Sequence, residues 1–169
     1  MPDRAPKLAP AAPTLMLRWL ALAALVIVLD QLTKLWALSS LRLMDHIALT
    51  SYFNLVLVFN AGAAFSFLAG AGGWQKWFFV VLAGGISIWL VMMLRQHAHE
   101  KLMPTALSLI LGGAIGNVID RLRFDAVVDF LDFHLAGMHW PAFNVADSAI
   151  TVGVGLMLWH QWRQPKEPS

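Results

Sequence analysis

Residues 19–38 read WLALAALVIVLDQLTKLWAL, an apolar run of membrane-span length that carries Asp30, Gln31 and Lys34 in its second half. About 20 mainly apolar residues cross a ~30 Å hydrocarbon core as one helix. Three further segments share this character: residues 77–94, 102–119 and 145–162. The third ends at Asn117, Asp120 and Arg121, and the fourth begins at Asp147. An up-and-down path through four spans brings these polar ends and Asp30 to one face. The expected fold is therefore an α-helical integral membrane protein of four transmembrane helices, one domain over residues 1–169.

Composition supports that class. Hydrophobic residues make up 59% of the 169 and charged residues 13%, against about a quarter charged in soluble domains. Mean hydropathy is +0.64. The chain has no cysteine, so disulfides, thiolate nucleophiles and zinc–thiolate sites are excluded. A net charge of +2 without a basic stripe gives no footprint for nucleic acid.

Basic residues set the orientation. Arg4, Lys7 and Arg18 precede the first span, Arg95 and Lys101 lie between the second and third, and Arg163 and Lys166 follow the fourth. These are seven of the twelve, so both termini are expected in the cytoplasm and the polar face outside. The basic start and apolar run resemble a secretory signal, but Asp-Gln-Leu-Thr-Lys rather than a small-residue cleavage site follows Leu29. A retained first span is expected.

Between spans one and two, residues 45–70 are expected to be β-rich. Tyr52–Phe59 is a β-branched and aromatic run that reads as a strand, and Asn60-Ala61-Gly62 reads as a turn. Strands in lipid need closed partners, so a small cradle at the external interface fits better than a fifth span. Residues 123–141, with Phe124, Phe130, Phe133, His134, His139 and Trp140, read as a connection resting on headgroups.

Three carboxylates compete for chemistry. Asp129 lies in Val127-Val128-Asp129-Phe130 and Asp147 in Phe143-Asn144-Val145-Ala146-Asp147-Ser148, each in a tight apolar frame. Two carboxylates held close share a proton, leaving one as base and one as acid. Asp132 has equally apolar neighbours in Leu131 and Phe133, and spacing does not choose between it and Asp129. Asn117, Asp120 and Arg121 fall on one helical face, where a permanently charged Arg needs an anionic partner or a route to the headgroups. Asn60 and Asn144 are amides in apolar surroundings and tie down turns or hold a carboxylate or a substrate backbone. Asp30 and Lys34, at i and i+4, read as a helix pair. Gly112 and Gly116 mark close helix packing.

Glu100 and Glu167 are the only glutamates, and neither lies in a His-Glu-x-x-His run. Ser66 with Lys34 stays open as a nucleophile pair by spacing, without local support. A small transporter or channel with an external acidic cation site is the alternative from another class. Its weakness is the near absence of polar lining at the other end of the spans. A non-catalytic assembly factor is a third reading, which predicts that Asp129→Asn leaves function intact.

Five motifs in order, Asp30–Lys34, Asn60–Ser66, Gly112–Arg121, Val128–Phe130 and Phe143–Ser148, strongly resemble the lipoprotein signal peptidases, signal peptidase II. The resemblance implies an aspartyl endopeptidase of the bacterial inner membrane with a periplasmic β-cradle and a periplasmic-side active site. It implies diacylglyceryl-modified prolipoproteins as substrates, cut just before the lipidated cysteine. By motif, Asp129 and Asp147 match the catalytic pair. Asn60, Gly62, Asn117, Asp120, Arg121, Asn144 and Ala146 match substrate-binding or supporting positions, and Asp30 and Lys34 a structural pair. The resemblance further implies no metal or cofactor, contact with membrane lipid, inhibition by globomycin-type cyclic peptides, and a monomer.

Overall fold

The computed structural model describes residues 13–62 and 72–163. Four helices fall where the apolar runs predict them: α1 Pro13–Ser40, α2 Gln75–His97, α3 Leu102–Phe124 and α4 Val145–Arg163. A helix satisfies its own backbone groups, which is the condition for crossing lipid. Among the described residues, α1, α2 and α3 are long and apolar enough to do so. The 19 residues of α4 begin at Val145-Ala146-Asp147-Ser148 and end past His160 and Gln161, so polar groups flank its apolar middle.

Helix α3 is the centre of the bundle, with twelve buried residues against three in α2. Glycines let its backbone meet its neighbours. A Cβ on Gly112 would lie 2.7 Å from the Ala23 carbonyl oxygen of α1, and one on Gly113 would collide with the Ala146 carbonyl of α4. On α4, a Cβ on Gly153 would likewise lie 2.8 Å from the Ala106 carbonyl oxygen of α3. Gly112 and Gly116 thus do pack helices closely. Trp77, Val81 and Ile88 of α2 point outward, a surface suited to hydrocarbon.

A four-stranded antiparallel sheet caps one end of the bundle, in the order β1 (His46–Thr50), β2 (Phe53–Asn60), β3 (Val127–Leu135), β4 (Met138–His139). The strand expected at residues 52–59 is β2, and the remainder of the expected β-rich segment, residues 63–70, lies outside the described residues. Half of the sheet comes instead from 127–139, expected as a connection on headgroups. Asp129, Asp132 and His134 break the alternation there, and β3 takes its register from distant β2, with Asn60 opposite Val127 and Asn54 opposite Asp132. Asp125 ends α3 in the left-handed conformation (φ 60°), turning the chain back into β3. Ala37 and Leu41 at the end of α1 bury Leu57, Val128 and Phe130 of the sheet. The other half of the bundle is closed by Ala23, Leu90, Leu94, Met103, Leu107, Ile110 and Leu111.

Candidate active site

Asp129 projects from β3 and is 2% exposed; Asp147 sits in the first turn of α4. Both line one groove of about 810 Å³, together with Asn60, Asn117 and Arg121. Two amides join them. Asn144 donates to Asp129 Oδ1 (2.8 Å) and to Asn117 Oδ1 (3.2 Å), and Asn117 donates to Asp147 Oδ1 (2.8 Å). Asn144 also caps α4, its Oδ1 accepting the Asp147 backbone N–H at 2.9 Å, so one side chain starts the helix and holds both aspartates. Asn60 donates to Asp129 Oδ2 at 3.3 Å while its side-chain Oδ1 accepts the Gly62 N–H at 3.0 Å.

Beneath this layer lies an ion triad that is almost wholly buried. Lys34 Nζ is 2.8 Å from Asp30 Oδ2 and 2.8 Å from Asp120 Oδ2, and donates to Asn117 Oδ1 at 3.0 Å. Asp30 accepts the Ala146 N–H (2.9 Å) and Asp120 the Val128 N–H (3.0 Å). Each of those amides immediately precedes one of the two aspartates in the chain. Gln31, in contact with both carboxylates, closes the cluster.

Burial pushes the Asp129 carboxyl up to about 7. The neighbouring Asp147 charge adds to this, while the amides of Asn60 and Asn144 and the Lys34 cation pull the other way. A carboxyl titrating near neutrality beside a second carboxylate can hold a shared proton. Arg121 donates to the Gly62 carbonyl (3.1 Å) and stacks over Phe79 at 4.8 Å. Its cation thereby stays beside the groove rather than at the headgroups. Phe133 and Phe143 stack at 5.7 Å along the groove wall, and Trp140 and Pro141 extend it.

The rival carboxylate is placed elsewhere. Asp132 is three residues along the strand, hence on its other face, where Asn54 donates to it (2.8 Å) and His139 Nδ1 lies 2.9 Å away. Ala146 is fully buried and serves through its backbone. Ser66 lies outside the described residues. Sequence reasoning missed Gln31 as a partner of the triad, although it stands between Asp30 and Lys34 in the same interrupted run.

A sequence profile of the family described as Signal peptidase (SPase) II matches residues 22–163, which spans both aspartates, most of α1 and the whole of the other three helices. The chain belongs to the signal peptidase II family. It is thus an enzyme, a membrane aspartic peptidase. A lipoprotein signal peptidase of Azoarcus sp. (strain BH72) is 60% identical over 151 residues, 89% of this chain and 86% of that protein. The lipoprotein signal peptidase of Janthinobacterium sp. (strain Marseille) is 51% identical over 149 residues, 88% and 90% of the two. A solved structure described as a bacterial membrane enzyme, determined by the in meso method at 2.3 Å, superposes with a TM-score of 0.78 at 31% identity, covering 90% of this chain and 94% of that one.

Proposed function

We propose that this signal peptidase II removes the signal peptide from diacylglyceryl-modified bacterial prolipoproteins, cutting just before the lipidated cysteine, with Asp129 and Asp147 as the reacting pair. The observation that carries the assignment is the Asp129–Asn144–Asn117–Asp147 chain of hydrogen bonds, which holds both carboxylates to one groove. In the reaction the attacking water is activated between the two. Among the described residues no side-chain donor bonds Oδ2 of Asp147, which leaves that oxygen to take the proton of the attacking water. Asp129, carrying the shared proton, hydrogen-bonds the scissile carbonyl oxygen as it becomes tetrahedral. The proton taken up by Asp147 then goes to the leaving amine as the C–N bond breaks.

The groove wall of Phe133, Trp140 and Phe143 suits the lipid and apolar side chains of such a substrate, and Arg121 suits a peptide carbonyl or a headgroup oxygen. Globomycin-type cyclic peptides would occupy the same groove. The enzyme lies in the bacterial inner membrane as a monomer, with both termini cytoplasmic and the sheet and groove on the periplasmic side. A channel finds no support in the apolar closure of the opposite half of the bundle by Leu90, Leu94 and Leu107. The test is incubation of the purified protein in lipid with a diacylglyceryl-modified prolipoprotein, followed by product masses. Fragments that meet at the lipidated cysteine are expected; an intact substrate, or a cut elsewhere, would overturn the assignment.

A further inference from the structure

Lys34 is 2% exposed and is not among the residues that line the groove. An ammonium at this depth is costly unless fully paired. Its three hydrogens meet three acceptors, Asp30, Asp120 and Asn117, at 2.8, 2.8 and 3.0 Å. A simple i,i+4 helix pair accounts for the first alone. The other two lead into the site, and so does the far side of the first. Asp30 holds the N–H of Ala146, Asp120 holds the N–H of Val128, and Asn117 donates to Asp147.

The Asn117 contact carries directional information. An ammonium only donates, so the amide oxygen must face Lys34 and the amide nitrogen must face Asp147. Without the cation only the longer contact from the Asn144 amide (3.2 Å) holds that sense, and the Asn117 amide turns over more easily to set its oxygen against the carboxylate. The geometry points to Lys34 as a positioning residue for the acid–base pair: it spaces the two backbones that present Asp129 and Asp147 and locks the sense of the Asn117 amide. This inference rests on the peptidase reading in which those two aspartates react.

The charged groups around Lys34 are Asp30 on its own helix, Asp120 on α3, Asp129 on β3 and Asp147 on α4. The Lys34 cation favours the ionised form of Asp129. Its removal therefore moves the alkaline limb of the rate–pH profile, where the shared proton is lost, to higher pH.

Lys34→Met alone would leave Asp30 and Asp120 buried without a countercharge. The informative variant is Lys34→Met with Asp120→Asn, which keeps the net charge of the cluster at −1 (two carboxylates and one cation before, Asp30 alone after) and leaves residue 120 an oxygen for Val128. It is compared, in lipid and per folded enzyme, with Asp120→Asn alone. The expected result is a kcat lower by about 10²-fold, the loss typical of a small misplacement of reacting groups. KM should stay within about twofold, since Lys34 does not line the groove. The alkaline limb should rise by roughly half a pH unit. A kcat and pH profile matching Asp120→Asn would overturn the inference. Failure of both variants to insert and fold would overturn it too, by making the triad a requirement of the fold. Failure of the peptidase reading is distinct, because the unmodified protein would then leave the substrate uncut.

Discussion

Replacing Asn144 by alanine removes two separable contributions, and the structure sets the size of each. Its carbonyl oxygen caps α4 through the Asp147 N–H, and losing such a cap costs about 1 kcal/mol. Its amide donates at 2.8 Å to the buried Asp129 carboxyl, and leaving a buried polar group without its partner costs about 1–3 kcal/mol. Asn144→Ala should therefore destabilise the protein by about 3 kcal/mol, the sum of the two. The second contribution acts in the reaction as well, and at about 1.4 kcal/mol per decade it lowers kcat by roughly 10- to 100-fold. The Asn144 amide also holds the Asp129 carboxyl down, so its loss moves the alkaline limb of the rate–pH profile upward from its position near the Asp129 value of about 7. Asn144→Ser separates the parts: a hydroxyl still caps the helix but is too short to reach Asp129. The assay is single-turnover cleavage of a diacylglyceryl peptide in lipid across pH, with thermal unfolding in parallel. A serine variant that recovers both stability and rate would refute the reasoning, because the amide would then be only a cap.

Three further outcomes are expected. The Asp129 carboxyl titrates near 7 when folded and near ~4 when unfolded, so its contribution to stability is full below pH ~4 and lost as pH rises through 7. Asp129→Asn, which cannot ionise, should have a higher thermal midpoint than the unmodified protein at pH 8 and a similar one at pH 4; the opposite order would contradict the raised value. Gly113→Ala forces a Cβ onto the Ala146 carbonyl and to 2.8 Å from Ile150, so α4 should shift and about 1–3 kcal/mol of stability should be lost. An unchanged unfolding midpoint would show that the helices have room to spare. A reporter fused after Ser169 should be active only in the cytoplasm and one inserted at Gly72 only outside; reversed signals would place the groove on the wrong side for exported substrates.

Much of the bundle is legible because lipid imposes a simple rule. A run of about 20 apolar residues has one way to satisfy its backbone, and residues 77–94 become α2 with only short extensions. Strand β3 was not legible in the same way. Its residues are apolar and aromatic like a headgroup-facing loop, and the hydrogen bonds that make it a strand belong to β2, far away in the chain. Spacing alone did not separate Asp129 from Asp132, which only the motif resemblance did, because the strand whose three-residue step sets them on opposite faces was not visible. The link from Asp30 through Lys34 to the segments of both aspartates was hidden for another reason. The local signal was an i,i+4 pair, while the contacts that matter are to Asn117 and Asp120 on α3 and to a backbone amide on α4. Asn144 and Asp147, three residues apart before an apolar run, did carry a visible helix-start pattern, but not its tie to β3.

The most direct test of the central claim is a comparison of Asp129→Asn, Asp147→Asn and Asp132→Asn on one diacylglyceryl-modified prolipoprotein, with folded enzyme quantified in the same lipid. The first two should form no measurable product, because the reaction needs an ionised carboxyl to take the water's proton and, at the same moment, a protonated one to hydrogen-bond the scissile carbonyl oxygen. Asp132→Asn, whose carboxylate is engaged by Asn54 and His139 on the other face of β3, should retain most of the rate. Near-normal cleavage by either of the first two, or loss confined to Asp132→Asn, would contradict the account.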